Sequence, residues 1–504
     1  MSKSFVTIAV HAYGRLGGIL RRLPTPVLLV CMALAIPLFC LVVEIINGTT
    51  VSDSSVFRYL GWRMTIGGGR CYVDAWDNTG PVLALFNAIG YLFVPMGNIG
   101  PSVVFAVVWM LTAILSYRFM CSCGKFPAAL SSFLCCMFGL GVCGGAFMNC
   151  REGISIFFAS VGLCFLFGRQ TRMRCFLYGA CVGFSFMNKA NLLGFGGAAV
   201  LLWIYDWLKG RDGWLLISRC AFSFLGFASV LLAITLSYLP DGVFPMWDAA
   251  LFYNLFERIS NDSTWLQWWI EYFKEWSIRR PGGWVLPLFA LMFATSILTL
   301  KRLRGVIPER MRIYLSAWLG LEVLLTFAFK SFFEHYLIMA FLPIAMILAL
   351  GCKLKNPWPA RITVFTAVVL FSVCLKSGFT SSVVRNKCRA ELYSWVAEKL
   401  GKNKYVATFG GHSIAEFLSC AGMKTKQRYF APCFYLELAK KARKDEIYTE
   451  FIAALEDSHV DWLVVEPGIP ESPLFNMPEM RRPFENFVFV KGFPNLLFFK
   501  RSSL

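Results

Sequence analysis

Residues 25–46 read TPVLLVCMALAIPLFCLVVEII, an apolar run whose single charge, Glu44, stands near its end. The hydrocarbon core of a bilayer is about 30 Å thick and takes about 20 apolar residues per helix, because backbone groups in lipid must be bonded within their own segment. The run is long enough to cross. It is too long for a removed signal peptide and lacks the small-residue cleavage site that one carries. Ten more segments read the same way, near 101–117, 127–147, 153–168, 173–188, 190–207, 220–238, 284–300, 313–329, 336–352 and 362–378, for eleven expected spans in all. The composition agrees, with 57% hydrophobic against 16% charged residues over 504 positions, and 48 Phe with 16 Trp. A soluble domain carries about a quarter charged residues, so soluble enzyme, nucleic-acid module and disordered chain are excluded as readings of the whole sequence.

A net charge of +19 would suit a nucleic-acid partner if it formed one face, but the basic residues fall in short clusters between the apolar runs. They are topology signals. Arg15, Arg21 and Arg22 precede the first span, Arg118 and Lys125 join the second to the third, and Arg169, Arg172 and Arg174 follow the fourth. Lys209, Arg211 and Arg219 follow the sixth, Lys301 to Arg312 the eighth, and Lys353, Lys355 and Arg361 the tenth. Short basic loops stay in the cytoplasm. This predicts a multi-pass cell-membrane protein with a cytoplasmic N-terminus and an external C-terminus. The stretch 81–94, PVLALFNAIGYLFV, cannot be another span without inverting every later loop, and is expected to lie in the outer interface. Two long external segments follow, 47–100 and 239–283, the second with Trp265, Trp268, Trp269, Phe273 and Trp276 in the aromatic and charged mixture of a headgroup boundary. The 18 Cys sit mostly inside apolar runs and read as buried free thiols, and the four His show no structural zinc spacing.

From 379 the composition turns globular. Helical pattern at 386–400, an apolar β-prone run from Tyr405 to Phe409 ending in Gly410-Gly411, a helix at 445–458, a strand from Trp462 to Glu466 and a terminal pair near 487–491 and 495–500 predict an α/β unit. The expected organisation is therefore a transmembrane unit, 1–378, and a small external α/β unit, 379–504.

Ionisable groups cost about 2.5–3.5 kcal/mol each on membrane-insertion scales, so those kept at span ends call for a reason. Nearly all fall on the expected outer side: Asp53 just past the first span, Asp74 and Asp77 in Tyr72-Val-Asp-Ala-Trp-Asp-Asn-Thr-Gly-Pro81, Arg151 and Glu152 before the fourth span, Lys189 between the fifth and sixth, and Glu334 and His335 opening the tenth. Such a set can hold an anionic headgroup and move a proton. A phosphate would want Lys189 and Arg151, and a hydroxyl nucleophile would want an Asp. Plainer roles compete: solvated or capping Asp residues, Glu152 and Lys189 pairing with neighbours or snorkelling, and His335 as an interfacial cap.

These residues carry a resemblance to the GT-C superfamily of integral-membrane glycosyltransferases, in particular bacterial relatives of protein O-mannosyltransferases and of the lipid A aminoarabinose transferase. In that family the first external loop opens with an acidic residue and closes with a Tyr-x-Asp-x-x-Asp-x-x-Gly-Pro-like stretch. Asp53 and Tyr72 to Pro81 match it. Asn149 to Glu152, Lys189 to Asn191, and His335-Tyr336 with Pro343 look like further family motifs. Two departures stand out: Thr79 where relatives often have a Lys for the carrier phosphate, and Ser54 where an acidic pair is common.

The resemblance implies a polytopic α-helical GT-C-like fold. It also implies transfer of a sugar from a polyprenyl-phosphate donor to an envelope glycan, lipid or protein on the outer face of the membrane, with inversion. Asp53 would then be the general base, and Arg151 or Lys189 would stabilise the departing phosphate. Asp74, Asp77, Glu152 and His335 would shape the donor site, with Asp77, Glu152 and His335 the set for a divalent cation, which some members use. Two other classes compete. A transporter or flippase for a polyprenyl-linked precursor would predict internal repeats and charges on both sides, and a scaffold displaying 379–504 would have no need of an acidic first loop.

Overall fold

The computed structural model describes residues 24–47, 53–78, 80–95, 97–141, 149–190, 193–240, 242–257, 285–328, 334–383, 385–401, 404–430, 441–467 and 484–502, with the single positions 267 and 432. The chain is mainly helical. The first half runs α1 Thr25–Asn47, α2 Asp53–Met64, α3 Pro81–Phe93, α4 Ile99–Met120, α5 Lys125–Gly141, α6 Arg151–Leu166, α7 Arg172–Asn188, α8 Gly194–Gly210 and α9 Gly213–Ser237. A short helix α10, Val243–Trp247, leads into a π-helical stretch, Asp248–Glu257. Then come α11 Val285–Arg302, α12 Glu309–Ala328, α13 Ile338–Gly351 and α14 Trp358–Val383. The aromatic segment around Trp268 lies outside the described residues.

Four of the described helices, at Thr25–Ile46, Ile99–Cys123, Gly213–Ser237 and Val285–Arg302, are long and apolar enough by length and composition to cross a membrane. The other expected spans fold as helices that are shorter or more polar, so the count of eleven remains a reading of the sequence. α1 and α9 turn Phe39, Val42, Phe224 and Leu232 outward, as lipid-facing helices do, whereas α5 and α13, apolar on all sides, are buried from Pro127 to Gly141 and from Ile338 to Gly351. Glu44 is tolerated near the end of α1 because Arg58 of α2 meets it at 3.3 Å, with both side chains buried.

α2 is polar for a buried helix. Every residue from Ser54 to Arg63 is buried, between α3 below and the C-terminal unit above. α14 continues to Val383, past the change of composition at 379, and α15 Arg385–Lys399 follows it. Beyond lie β1 Ala407–Phe409, α16 His412–Ala421, α17 Lys441–Glu456, β2 Trp462–Val465, β3 Phe487–Phe493 and β4 Leu496–Arg501. The sheet order is β1-β2-β4-β3. β1 and β2 are parallel, pairing Ala407 with Leu463 and Phe409 with Val465, which requires the helical crossover that α16 and α17 supply. β4 pairs antiparallel with both β2 and β3, and β3 is an edge strand carrying Lys491 at an irregularity in its register. Trp395 of α15 packs on Phe498 at 4.9 Å between ring centroids and Phe451 of α17 on Phe409 at 4.6 Å, so helices cover the sheet.

Candidate active site

Two helices, α6 and α16, begin beside Asp53. Asp53 is the first described residue of α2, Arg151 the first of α6 and His412 the first of α16. Helix N-termini carry unsatisfied N–H groups and about half a positive charge each, so their convergence favours anions. Asp53 supplies the negative group. Its Oδ2 lies 3.6 Å from Arg151 Nη2 and its Oδ1 2.9 Å from His412 Nε2. Since an ionised carboxylate only accepts, the His412 Nε2–H donates. The Asp53 side chain keeps 25% of its surface exposed, enough for a hydroxyl to reach, while Arg151 keeps 11% and is fixed over the Phe57 ring at 5.2 Å.

The next layer holds Arg151 in place. Asn188, at the end of α7, donates from Nδ2 to the Arg151 carbonyl at 2.5 Å and to Ser155 Oγ at 2.8 Å. Cys150 caps α6 by accepting from the Gly153 N–H at 3.3 Å, and Asn149 before it pairs reciprocally with Asn87 of α3, the shorter contact being 2.6 Å. Lys189 follows Asn188, and its Nζ donates to Glu152 Oε1 at 2.9 Å while lying 3.3 Å from the centroid of the Tyr336 ring. Glu152 is 1% exposed and Lys189 12%, so this pair is a buried one. Gly80, just before α3, sits so close to the end of α7 that an added Cβ would lie 1.8 Å from the Met187 carbonyl oxygen. Only glycine lets the first loop approach there.

Of the residues singled out in the sequence, Asp53, Arg151, Glu152 and Lys189 come together, and Asp77 joins them. It is fully buried, and it acts with Glu152, Tyr336 and Asp53 on the Arg151 guanidinium. Asp74 sits apart in a local turn, where it accepts from the Arg70 backbone N–H at 2.7 Å and meets the Arg70 guanidinium at 3.3 Å. Burial acts against its charge, but these contacts outweigh it and hold the carboxyl below the usual range. His335 falls in the short 3-10 turn Glu334–Leu337 beside Tyr336. Among the described residues no three His, Cys, Asp or Glu side chains are grouped to hold a metal, and the carboxylates of Asp53 and Glu152 already face fixed cationic or hydrogen-bonding partners. The expected set for a divalent cation, Asp77, Glu152 and His335, includes a side chain, that of His335, which lies outside the described residues.

Sequence reasoning missed His412. Its only signal was position, immediately after the Gly410-Gly411 pair that ends β1. The C-terminal unit that carries it is tied to the first loop. The Trp76 backbone N–H donates to the Arg428 carbonyl at 2.8 Å, the Trp76 ring lies 5.3 Å from Tyr429 and 5.0 Å from Tyr253, and Tyr59 of α2 lies 4.5 Å from Phe430.

The fold of this chain is shared with solved structures of two other proteins. The crystal structure of ArnT from Cupriavidus metallidurans bound to undecaprenyl phosphate aligns with 95% of this chain and 98% of its own at 12% identity, with a TM-score of 0.58. The same enzyme in the apo state aligns with 92% of this chain and 97% of its own at 13% identity, also with a TM-score of 0.58. The oligosaccharyltransferase of Archaeoglobus fulgidus in complex with zinc and sulfate aligns with 94% of this chain and 73% of its own at 12% identity, with a TM-score of 0.51. No family model and no curated protein matches the sequence.

Proposed function

We propose that this protein is a membrane glycosyltransferase that moves a sugar from a polyprenyl-phosphate carrier to a hydroxyl of an envelope glycan, lipid or protein at the outer face of the cell membrane. The observation that carries the reading is the Asp53 carboxylate, partly exposed and set against Arg151 where α6 and α16 begin. The shared fold with an enzyme crystallised with undecaprenyl phosphate supports the choice of carrier.

In this mechanism Asp53 accepts the proton of the acceptor hydroxyl as its oxygen attacks the anomeric carbon. The bond from that carbon to the phosphate oxygen breaks on the opposite side, which inverts the centre. The phosphate leaves with the electron pair, and Arg151 and the helix N-termini stabilise its charge, with Lys189 beside them. Glu152 and Asp77 hold the cations in place. The N-terminus is cytoplasmic and the C-terminal unit external. A reporter fused within residues 53–78 that reads out as cytoplasmic would overturn this topology.

The test is release of polyprenyl phosphate by the purified protein in detergent, from a panel of polyprenyl-phosphate sugars with envelope extracts as acceptor. Loss of the general base predicts a fall of about 10²–10⁴-fold in turnover for Asp53→Asn with carrier binding retained. Asp77→Asn acts on Arg151 and lowers turnover less. Equal turnover in wild type and Asp53→Asn removes the proposed base. Carrier movement across vesicles without any release would instead favour a transporter.

A further inference from the structure

The C-terminal unit does more than sit near the membrane. Its helix α16 begins with His412, whose Nε2 is 2.9 Å from Asp53 Oδ1, a contact between residues 359 positions apart in the chain. His412 keeps 32% of its side-chain surface exposed and Asp53 25%, so the pair borders an accessible space. Three features fix the imidazole there. The Ser413 N–H, one residue on, donates to Glu466 Oε1 at 2.9 Å, which anchors the start of α16 to the end of β2. Gly410 permits that anchor, since a Cβ at this position would lie 2.7 Å from Glu466 Cγ. The rest of α16 packs on α2, the helix that carries Asp53. Arg151 meets the other oxygen, Oδ2.

The two oxygens of Asp53 are therefore held by different partners at different distances. His412 makes a hydrogen bond of ordinary length to Oδ1, while the guanidinium stands off from Oδ2 at 3.6 Å. A base that is to take a proton from an incoming hydroxyl must present one oxygen and keep its rotamer, since misplacement by about 1 Å costs on the order of 10²-fold in rate. We propose that His412 is a positioning residue of the transferase, supplied by the C-terminal unit. Its Nε2–H holds Oδ1 and so fixes the rotamer in which the carboxylate meets the acceptor hydroxyl. One proton moves from the hydroxyl to the Asp53 carboxylate, and His412 neither gains nor loses one. The proposal rests on the reading of Asp53 as general base. It makes the C-terminal unit part of the active site.

The test uses the full-length protein in detergent and the donor of the panel that supports wild-type release. His412→Phe keeps a ring and removes the donor, while His412→Gln keeps an N–H at similar reach. The expected result is a kcat lowered about 10- to 100-fold in His412→Phe, with the KM for donor and the affinity for undecaprenyl phosphate unchanged, and most of the kcat recovered in His412→Gln. In an Asp53→Asn background His412→Phe is expected to add little further loss, because the group it positions is gone. Equal losses in the Phe and Gln variants, or a raised KM with kcat unchanged, overturn the positioning role. Normal turnover in His412→Phe beside an inactive Asp53→Asn overturns this proposal alone and leaves the function standing. Normal turnover in Asp53→Asn, or no release by wild type from any donor, overturns the function and the proposal with it.

Discussion

At the scale of single residues, charge placement separates a carboxylate held within its own turn from the one proposed as the base. Asp74 is spent on its own turn, where the Arg70 N–H and guanidinium hold it ionised and keep its carboxyl below the ordinary value. A carboxyl depressed in the folded state lends stability that is present above the unfolded value and disappears as pH falls through the folded one. Wild type is thus expected to lose thermal stability as pH is lowered below about 4, and Asp74→Asn to show a flatter dependence in that window. Unfolding midpoints in detergent between pH 6 and 3 check this, and parallel curves for the two proteins would refute it. Asp53 makes the opposite case, with a hydrogen bond to a distant imidazole and a partly open face. The sequence showed both residues as acids in an outer loop, because the acidic loop is a local pattern. Which of them would meet His412 was not legible, since no spacing rule connects residues 359 positions apart.

At the scale of elements, the junction of α6 and α7 is where stability and chemistry share residues. Lys189, at the end of α7, and Glu152, at the start of α6, form a buried pair at 2.9 Å with the ammonium over Tyr336. Breaking a buried pair from one side leaves an uncompensated charge and costs about 3–5 kcal/mol. Lys189→Met is expected to destabilise by that order, and adding Glu152→Gln in the same chain should recover most of it. If Lys189 also serves the leaving phosphate, the double variant will regain its unfolding midpoint while binding undecaprenyl phosphate more weakly. Recovery of both would make the pair purely structural. The sequence displayed these two residues at adjoining span ends, and with them most helix bounds, because apolar periodicity and basic loops are local signals. It did not display α2 as a helix buried on all sides, since the run Ser54 to Arg63 mixes Val56, Phe57, Leu60 and Trp62 with Arg58 and Arg63, and both α3 and the C-terminal unit pack on it.

At the scale of the whole molecule, what must be explained is how a soluble-looking unit at the end of the chain stays in register with a base near its beginning. The strands of that unit and its helices α15 and α17 were readable from pattern, but α16, His412–Ala421, was not, and neither was the docking, because the contacting residues are ordinary aromatics scattered over three segments. Trp76 is the node. It is fully buried, its backbone N–H reaches the Arg428 carbonyl, and its ring touches both Tyr429 of the C-terminal unit and Tyr253 after α10. Arg428 is in turn held to α17 through Glu446 and Glu450, so the strain of any displacement passes into the body of the unit. Truncating a buried Trp to Ala removes about 3–5 kcal/mol of packing. Here that loss falls on the contact between two parts of the chain and not on the core of either, so Trp76→Ala is expected to loosen the docking while both parts stay folded. The measurement is limited trypsin digestion of the full-length protein in detergent. A C-terminal fragment cut near α15 should be released faster from Trp76→Ala than from wild type, with Trp76→Phe between them. Turnover should fall together with that protection, because His412 leaves Asp53 when the unit swings away. Faster cleavage with unchanged turnover would mean that the active site closes without the C-terminal unit. Unchanged cleavage would mean that Tyr59 against Phe430 and the face of α16 on α2 are sufficient to hold it.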